Sequence, residues 1–454
     1  MSIFRAYDIR GIVGQTLTAP IVKQIGQAIG SEAAIRGQDK VVVARDGRLS
    51  GPELVAALTE GLKATGREVI DIGMMPTPVL YFATYYLNTG TGVMVTGSHN
   101  PANYNGLKIM IAGETLSGEM IQTLKARVEN NDFIEGSGSV IQTNIQNAYI
   151  ERIQADVKLA RPFKIVMDCG NGVAGAIAPQ LFKALGCELI ELFCDVDGNF
   201  PNHHPDPTVL ENLQDIIQAV KQHQADLGLA FDGDGDRLGV VDSQGNVIWA
   251  DRQMMLYAMD ILKRHPQANI IYDVKCSRHL GTVIQQHGGN PIMWKTGHSL
   301  IKSKIQETQA QLGGEMSGHI FFKERWYGFD DALYTGARLL EILSQDDRTP
   351  TEVFASLPDA VSTPELKLEV EKDGENFVLM EKVRANFQFE GATISTIDGI
   401  RADFEDGWGL VRPSNTTPCL VIRFEADSQM ALECIQTAFR QQFLAIDHTL
   451  NLPF

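Results

Sequence analysis

Three related α/β domains in tandem, followed by a smaller α+β domain, are what this sequence predicts, and two observations carry the prediction. The first is an internal repeat of strand, amphipathic helix, glycine stop and second strand. It runs through Lys40–Asp46, Pro52–Ala64, Gly66 and Glu68–Ile72, then through Phe163–Asp168, Ala176–Leu185, Gly186 and Glu188–Phe193. Its third copy is Asn269–Val274, Arg278–Gln286, Gly288-Gly289 and Pro291–Trp294. Each copy is a βαβ pattern, in which the crossover helix packs on a mostly parallel sheet. The second observation is that the C-terminal stretch breaks the pattern. It reads as strand Glu365–Val370, helix Glu375–Ala385, strands Thr393–Ile397, Gly399–Phe404, Trp408–Arg412 and Cys419–Glu425, and closing helix Ser428–Leu444. The expected boundaries are 1–145, 146–246, 247–358 and 359–454.

A chain of 454 residues has room for several such domains. With 39 basic and 56 acidic residues the net charge is −17, which argues against general affinity for nucleic acid or an anionic membrane surface. An anionic ligand therefore needs a local basic site, and one can act here because fields are screened beyond ~8 Å at physiological salt. Cys169, Cys187, Cys194, Cys276, Cys419 and Cys434 show no CxxC spacing and read as reduced, buried thiols. No basic-then-apolar segment opens the sequence and no apolar run approaches the ~20 residues of a membrane span. A cytoplasmic protein with small-molecule partners, and neither nucleic acid nor membrane among them, is the expectation.

In the first domain, Gly92-Val-Met-Val-Thr-Gly-Ser-His-Asn-Pro101 runs from a short buried strand, Val93–Val95, into a sharp turn at Thr96-Gly97. Pro101 keeps the chain from continuing as helix or central strand. Such a turn is expected to present the Ser98 hydroxyl, exposed and positioned; a polar turn bonded to its own backbone is the other reading of these residues. Upstream, Phe4-Arg-Ala-Tyr-Asp-Ile-Arg-Gly11 places Tyr7 and Arg10 in a glycine-ended loop that also reads as an edge strand and turn. Downstream, Asn105-Gly106 predicts a hairpin that would bring Lys108 back toward Ser98.

The second domain carries Leu227-Gly-Leu-Ala-Phe-Asp-Gly-Asp-Gly-Asp-Arg237, where Asp232, Asp234 and Asp236 alternate with glycines after a strand. A compact loop can turn three carboxylates to one point, which is costly unless a cation sits among them. An all-oxygen set with room for waters and a phosphate oxygen suits Mg²⁺. An EF-hand does not fit, since its sixth position would be Arg237 and its twelfth Ser243. The glycine-rich turn Asp168-Cys-Gly-Asn-Gly172 is too weak a signal to assign phosphate binding. The third domain sets Lys275, Lys295 and His298 near strand ends. Its Gly313-Gly-Glu-Met-Ser-Gly-His319 alternates Glu315, Ser317 and His319, an acceptor, a hydroxyl and an imidazole suited to a polyol. In the last domain, Arg412-Pro-Ser-Asn-Thr-Thr-Pro418 concentrates a guanidinium, hydroxyls and an amide, which can grip phosphate oxygens.

Taken together, Thr96-Gly-Ser-His-Asn-Pro101, Asp232-Gly-Asp-Gly-Asp-Arg237, Gly314-Glu-Met-Ser-Gly-His319 and Arg412-Pro-Ser-Asn-Thr-Thr417 resemble the α-D-phosphohexomutase family, in motif order and over the whole chain. The resemblance implies four domains around a central active-site cleft and reversible interconversion of hexose 6-phosphate and hexose 1-phosphate, for mannose and glucose. It implies a phosphoserine at Ser98, a hexose 1,6-bisphosphate as intermediate and activator, and one Mg²⁺ per site, held by Asp232, Asp234, Asp236 and the Ser98 phosphate. Glu315 and Ser317, with Met316 and Gly318 in the same loop, then take sugar hydroxyls. Tyr7, Lys275, His298, His319, Arg412, Ser414, Asn415, Thr416 and Thr417 match ligand contacts, and Arg10, His99, Lys108, Arg237 and His319 surround the transferring group. A monomer is expected. Pro413 departs from the family's pattern and removes one N–H, so the phosphate loop would lean on its hydroxyls. Three alternatives stay open on the residues alone. They are a phosphoglucosamine mutase, a phosphatase using Asp232 as nucleophile, although Asp236 stands where such sites have threonine or valine, and a non-catalytic sugar-phosphate binder.

Overall fold

Val41, Val42, Val43 and Ala44 are fully buried, as a strand covered by helices on both faces must be. Their strand, Lys40–Arg45, lies between Glu68–Met74 and Gly92–Val95, parallel to both, and Gly92–Val95 turns back into antiparallel Tyr104–Ile111. The computed structural model, which describes residues 3–372, 374–415 and 417–454, builds this plan twice more. Lys164–Asp168 lies between Glu188–Leu192 and Leu227–Phe231, and the latter turns back into Leu238–Asp242. Asn269–Asp273 lies between Asn290–Trp294 and Leu312–Gly314, which turns back into Ile320–Phe322. The repeat thus folds as three mixed α/β units. Each ends in one tight antiparallel turn at the same topological place, within residues 96–103, 232–237 and 315–319.

The last unit is an antiparallel sheet in which Cys419–Ala426 pairs with Gly407–Pro413 and Leu366–Glu369, backed by helices Glu375–Asn386 and Gln429–Ile446. One apolar core runs unbroken through Met94, Phe82, Tyr149, Phe182, Phe231 and Leu333, so the first three units pack as one body. The fourth has its own core around Phe424, Phe439 and Phe443 and joins the third where Trp408 and Leu410 meet Val274. Burial of each such large side chain contributes ~1.5–3 kcal/mol. Arg401 adds direction to the joint: it lies 3.9 Å over the Trp408 ring and donates to the Val274 and Cys276 carbonyls at 2.7 and 3.0 Å. Among the described residues no helix is long and apolar enough to cross a membrane.

Two expectations about local structure are corrected. Asn105-Gly106 is not a turn; it lies inside Tyr104–Ile111, opposite Gly11 and Arg10 of the edge strand Ile9–Ile12. Asn105 is buried there, donating to Ser50 Oγ at 2.9 Å and accepting the Gly106 N–H at 2.8 Å, so its polarity serves the sheet instead of a loop. The reversal falls instead within 96–103, and it still delivers Lys108 opposite Met94, on the strand that leads to Ser98. The cysteines are free, but Cys434 is exposed and Cys194 half-buried.

Asp331 opens helix Ala332–Ser344 by accepting the Tyr334 N–H, and it also accepts from the Tyr149 hydroxyl at 2.8 Å and Trp326 Nε1 at 3.2 Å. Burial pushes its carboxyl up to about 7, against the pull of these donors. The folded value exceeds the unfolded one of ~3.9, so the stability this group contributes is greatest at low pH and is lost as pH rises from about 4 to 7. Asp331→Ala is expected to cost about 3 kcal/mol, from the lost cap and two stranded donors. Denaturant unfolding of both proteins should show a larger difference at pH 5 than at pH 8.

Candidate active site

The first of the three equivalent turns holds Ser98 at φ +50°, in the left-handed region that residues with a side chain seldom occupy. The turn is held by a chain of bonds in which Ser98 N donates to Thr96 Oγ1 at 2.8 Å and Thr96 Oγ1 donates to Asp46 Oδ2 at 2.8 Å. The strained turn expected from Thr96-Gly97 is present, but Ser98 is only 2% exposed, not the open hydroxyl expected. Its cover is the second turn: a Cβ at Gly233 would stand 2.4 Å from the Ser98 carbonyl oxygen, so that position has room only for glycine. His99 Nδ1 lies 3.2 Å from Ser98 Oγ. Burial, then the charges of Arg237 and Arg10, hold this imidazole well below its ordinary pKa and therefore neutral. Arg10 bonds to Asn100 of the same turn and to Asp8.

Asp232, Asp234 and Asp236 are all fully buried. Asp232 Oδ1 accepts the N–H groups of Gly235, Asp236 and Arg237 at 3.0, 3.0 and 3.1 Å, which fixes the turn. Asp232 Oδ2, Asp234 Oδ1 and Asp236 Oδ1 have no hydrogen-bond partner among the described residues, and the three side chains bring ligand oxygens within 4.8 Å of one another. Burial, then repulsion from Asp236 and Asp234, pushes the Asp232 carboxyl well above its usual range. Buried, unpartnered, like-charged oxygens fit a hard divalent cation. Part of the compensation is already in place. Lys108 Nζ, from the first sheet, is 2.8 Å from Asp234 Oδ2 and 2.5 Å from Asp236 Oδ2. Burial disfavours charge on that lysine, but Asp234 and Asp236 outweigh it and raise its pKa well above normal. Thr77, at the start of helix Thr77–Tyr86, donates Oγ1 to Asp234 Oδ2 at 2.5 Å, a second tie from the first unit.

The third turn meets the second through His319, whose Nε2 lies 3.3 Å from Asp236 Oδ1 and 3.2 Å from Arg237 Nε. Its Nδ1 is 2.9 Å from Glu315 Oε2 and 3.1 Å from Ser317 Oγ. Burial opposes a charge on His319, but Asp236 leads the groups that outweigh it and raise it to about 9, so it is protonated at neutral pH. Met316 N donates to Asp273 Oδ1 at 3.4 Å, and Gly318 N closes the turn onto the Glu315 carbonyl at 3.0 Å. His298 stands 3.7 Å from Asp330 and is held neutral, first by burial and then by Lys302.

A second cluster forms where the fourth unit meets the others. Lys275 Nζ is 2.6 Å from Glu365 Oε1, and Arg412 Nε is 2.8 Å from Asp398 Oδ2. Tyr7 donates to the Thr296 carbonyl at 3.0 Å and meets the Asn415 amide, so it touches the third and fourth units at once. Ser414 Oγ and Thr417 Oγ1 are 2.9 Å apart, while Thr416 lies outside the described residues. The two clusters connect through Gly297, next to Thr296, whose N–H donates to Glu315 Oε1 at 2.5 Å. Sequence reasoning missed Thr77 and Glu365, which enter because separate units pack together, and Asp330, Lys302 and Asp398, which pair within a unit but lie outside every contiguous motif. It also passed over Asp46, although Asp46, Asp168 and Asp273 end the first strand of each repeat and could have been aligned.

The same division appears in known proteins. Family models described as phosphoglucomutase/phosphomannomutase alpha/beta/alpha domains I, II and III match residues 1–135, 147–245 and 249–361, and that of the C-terminal domain matches 365–442. A protein of Pseudomonas aeruginosa named phosphomannomutase/phosphoglucomutase is 58% identical over 453 residues, covering 100% of this chain and 98% of its own. A Neisseria gonorrhoeae protein named phosphoglucomutase is 56% identical, with 96% of each chain covered. A crystal structure of a phosphoglucomutase/phosphomannomutase family protein from Burkholderia thailandensis superposes with a TM-score of 0.95 at 55% identity, covering 100% of this chain and 99% of that one. With matched models on all four units and high identity along the whole length, the chain belongs to the phosphoglucomutase/phosphomannomutase family.

Proposed function

We propose that the protein is a phosphohexomutase that interconverts the 6-phosphate and 1-phosphate of mannose and of glucose through phosphoSer98 and a hexose 1,6-bisphosphate. The observation that carries this is the packing of the Ser98 turn directly against the buried, partly unpaired Asp232–Asp236 turn. The names borne by the related proteins support the two hexoses.

Phosphoryl transfer asks a protein mainly for alignment and for neutralisation of charge spread over the moving group. In the forward half, the bond from phosphorus to Ser98 Oγ breaks, a bond to the sugar's free hydroxyl forms, that hydroxyl loses its proton and Oγ gains one. The proton lost by the sugar hydroxyl is the one Oγ gains, and neutral His99, with Nδ1 3.2 Å from Oγ, hydrogen-bonds that oxygen as it leaves. Lys108, Arg237 and protonated His319 supply fixed positive charge around the group, with Arg10 alongside. Mg²⁺, held by Asp232, Asp234, Asp236 and a phosphate oxygen on Ser98, would neutralise the charge developing on the transferred oxygens. Glu315 and Ser317, from the turn of Met316 and Gly318, take sugar hydroxyls, with His298 beside them. The bisphosphate then turns over and returns its other phosphate to Ser98, so free bisphosphate also reloads enzyme that has lost its phosphoryl group. One chain supplies every group, which supports a working monomer.

Intact protein should carry an acid-stable phosphoryl group on a peptide containing Ser98, and Ser98→Ala should remove nearly all isomerisation of glucose 1-phosphate and mannose 1-phosphate in a coupled assay. Phosphate on Asp232, or full activity in Ser98→Ala, would contradict the reading and favour the phosphatase alternative.

Turning the bisphosphate over requires one fixed seat for the phosphate that is not reacting. Arg412, Ser414, Asn415 and Thr417, with Lys275 and Tyr7, form that seat, and the family resemblance adds Thr416 of the same motif. Charge-assisted bonds of this kind are worth ~1.5–3 kcal/mol, so Arg412→Ala should lower kcat/KM roughly 10- to 150-fold in both directions. Initial rates from either phosphate should fall together, and a less than threefold fall in kcat/KM would remove Arg412 from the seat.

A further inference from the structure

The most heavily engaged charged side chain beside Ser98 has no part in the reaction as drawn. Arg48 lies just beyond the strand Lys40–Arg45, and its side chain is completely buried. Nη2 donates to the carbonyls of Ser98 and Asn100 at 2.9 and 2.6 Å, and Nη1 to those of Pro101 and Tyr104 at 2.5 and 3.0 Å. Nε donates to Asp46 Oδ2 at 3.1 Å. A guanidinium has five N–H groups, and all are used, three of them on the backbone of the serine turn and one on Tyr104, where the next strand begins. Asp46 completes the grip from the other side, accepting the Gly97 N–H at 3.1 Å and the Thr96 hydroxyl at 2.8 Å. The fit leaves no room for a side chain at 97, where a Cβ would stand 2.4 Å from the guanidinium carbon. Phe200, from the second unit, covers the guanidinium with its ring centroid 5.1 Å away.

The internal repeat sharpens the point. Asp46, Asp168 and Asp273 each accept the backbone N–H two residues on, from Arg48, Gly170 and Lys275, at 3.0, 2.9 and 3.1 Å. The three turns share this local geometry but differ in what the second residue does. It is glycine in the second repeat, and in the third a lysine paired with Glu365 of the fourth unit. Only the first repeat directs it inward, onto the neighbouring antiparallel turn. The local bend needs no arginine, so Arg48 answers to the serine turn.

We propose that Asp46 and Arg48 are positioning residues that hold Ser98 in its left-handed conformation and so fix the direction of Oγ toward the incoming hydroxyl, without touching substrate. This deepens the reading of Ser98 as phosphoryl carrier and rests on it. Sugar and distal-phosphate contacts come from the third and fourth units, so loss of the clamp acts on kcat and leaves KM nearly alone. A misplacement of about 1 Å costs on the order of 100-fold in rate.

The test compares Arg48→Lys and Asp46→Asn with wild type by steady-state kinetics on glucose 1-phosphate, with thermal unfolding as the check on folding. Arg48→Lys keeps the charge but cannot span four carbonyls. We expect kcat to fall on the order of 100-fold in Arg48→Lys, with KM within about threefold of wild type and a cooperative melt retained. Asp46→Asn should show the same split to a smaller degree. A kcat within about threefold of wild type in folded Arg48→Lys, or a fall in kcat matched by the unfolded fraction, overturns the clamp. If Ser98→Ala is inactive while Arg48→Lys is normal, the clamp alone fails; if Ser98→Ala is active, the carrier reading fails.

Discussion

Three carboxylates without solvent are the constraint around which this molecule is arranged. Asp232, Asp234 and Asp236 come from one short turn, and isolated burial of such charges is prohibitive unless opposite charge is brought to them. Their own unit supplies Arg237. The rest comes from elsewhere, with Lys108 on the first sheet and His319 in the third. The acidic turn is therefore satisfied only when the units are docked, and the continuous apolar core that docks them is also what assembles the site.

Repetition of one sheet plan explains why a site of such mixed chemistry is possible. Each of the first three units presents its antiparallel turn at the same place, and each turn carries a different chemistry: a hydroxyl at Ser98, the three carboxylates, and the Glu315, Ser317 and His319 group. The scaffold supplies position and the turns supply reactivity. The fourth unit, with a different fold, contributes Arg412 and its partner Asp398, and is joined to the others through Tyr7, Lys275 and the Trp408 contact. A net charge of −17 is compatible with an anionic substrate for the same reason: the positive charge is gathered where it is used.

What could be read from the sequence was what is local. The strand-helix-glycine unit repeats in plain view, and the Gly-Asp alternation, the Ser98 turn and the Arg412 loop are each contiguous. Other features depend on contacts far apart in the chain. Ser98 was expected in the open because nothing in its own segment reveals that Gly233 lies against it. Asn105-Gly106 has the composition of a turn and became strand because sheet pairing on both sides outweighs local preference. Arg48 was invisible because its partners are backbone carbonyls, which carry no sequence signal.

If the buried triad is a cation site whose charge is balanced across units, the site should take up one divalent ion. Calorimetric titration of Mg²⁺ into metal-stripped, intact protein tests it most directly. Saturable binding of a single Mg²⁺ per chain, lost in Asp234→Asn while the protein stays folded, is the expected result. Absence of saturable binding, or binding unchanged by that substitution, would contradict it.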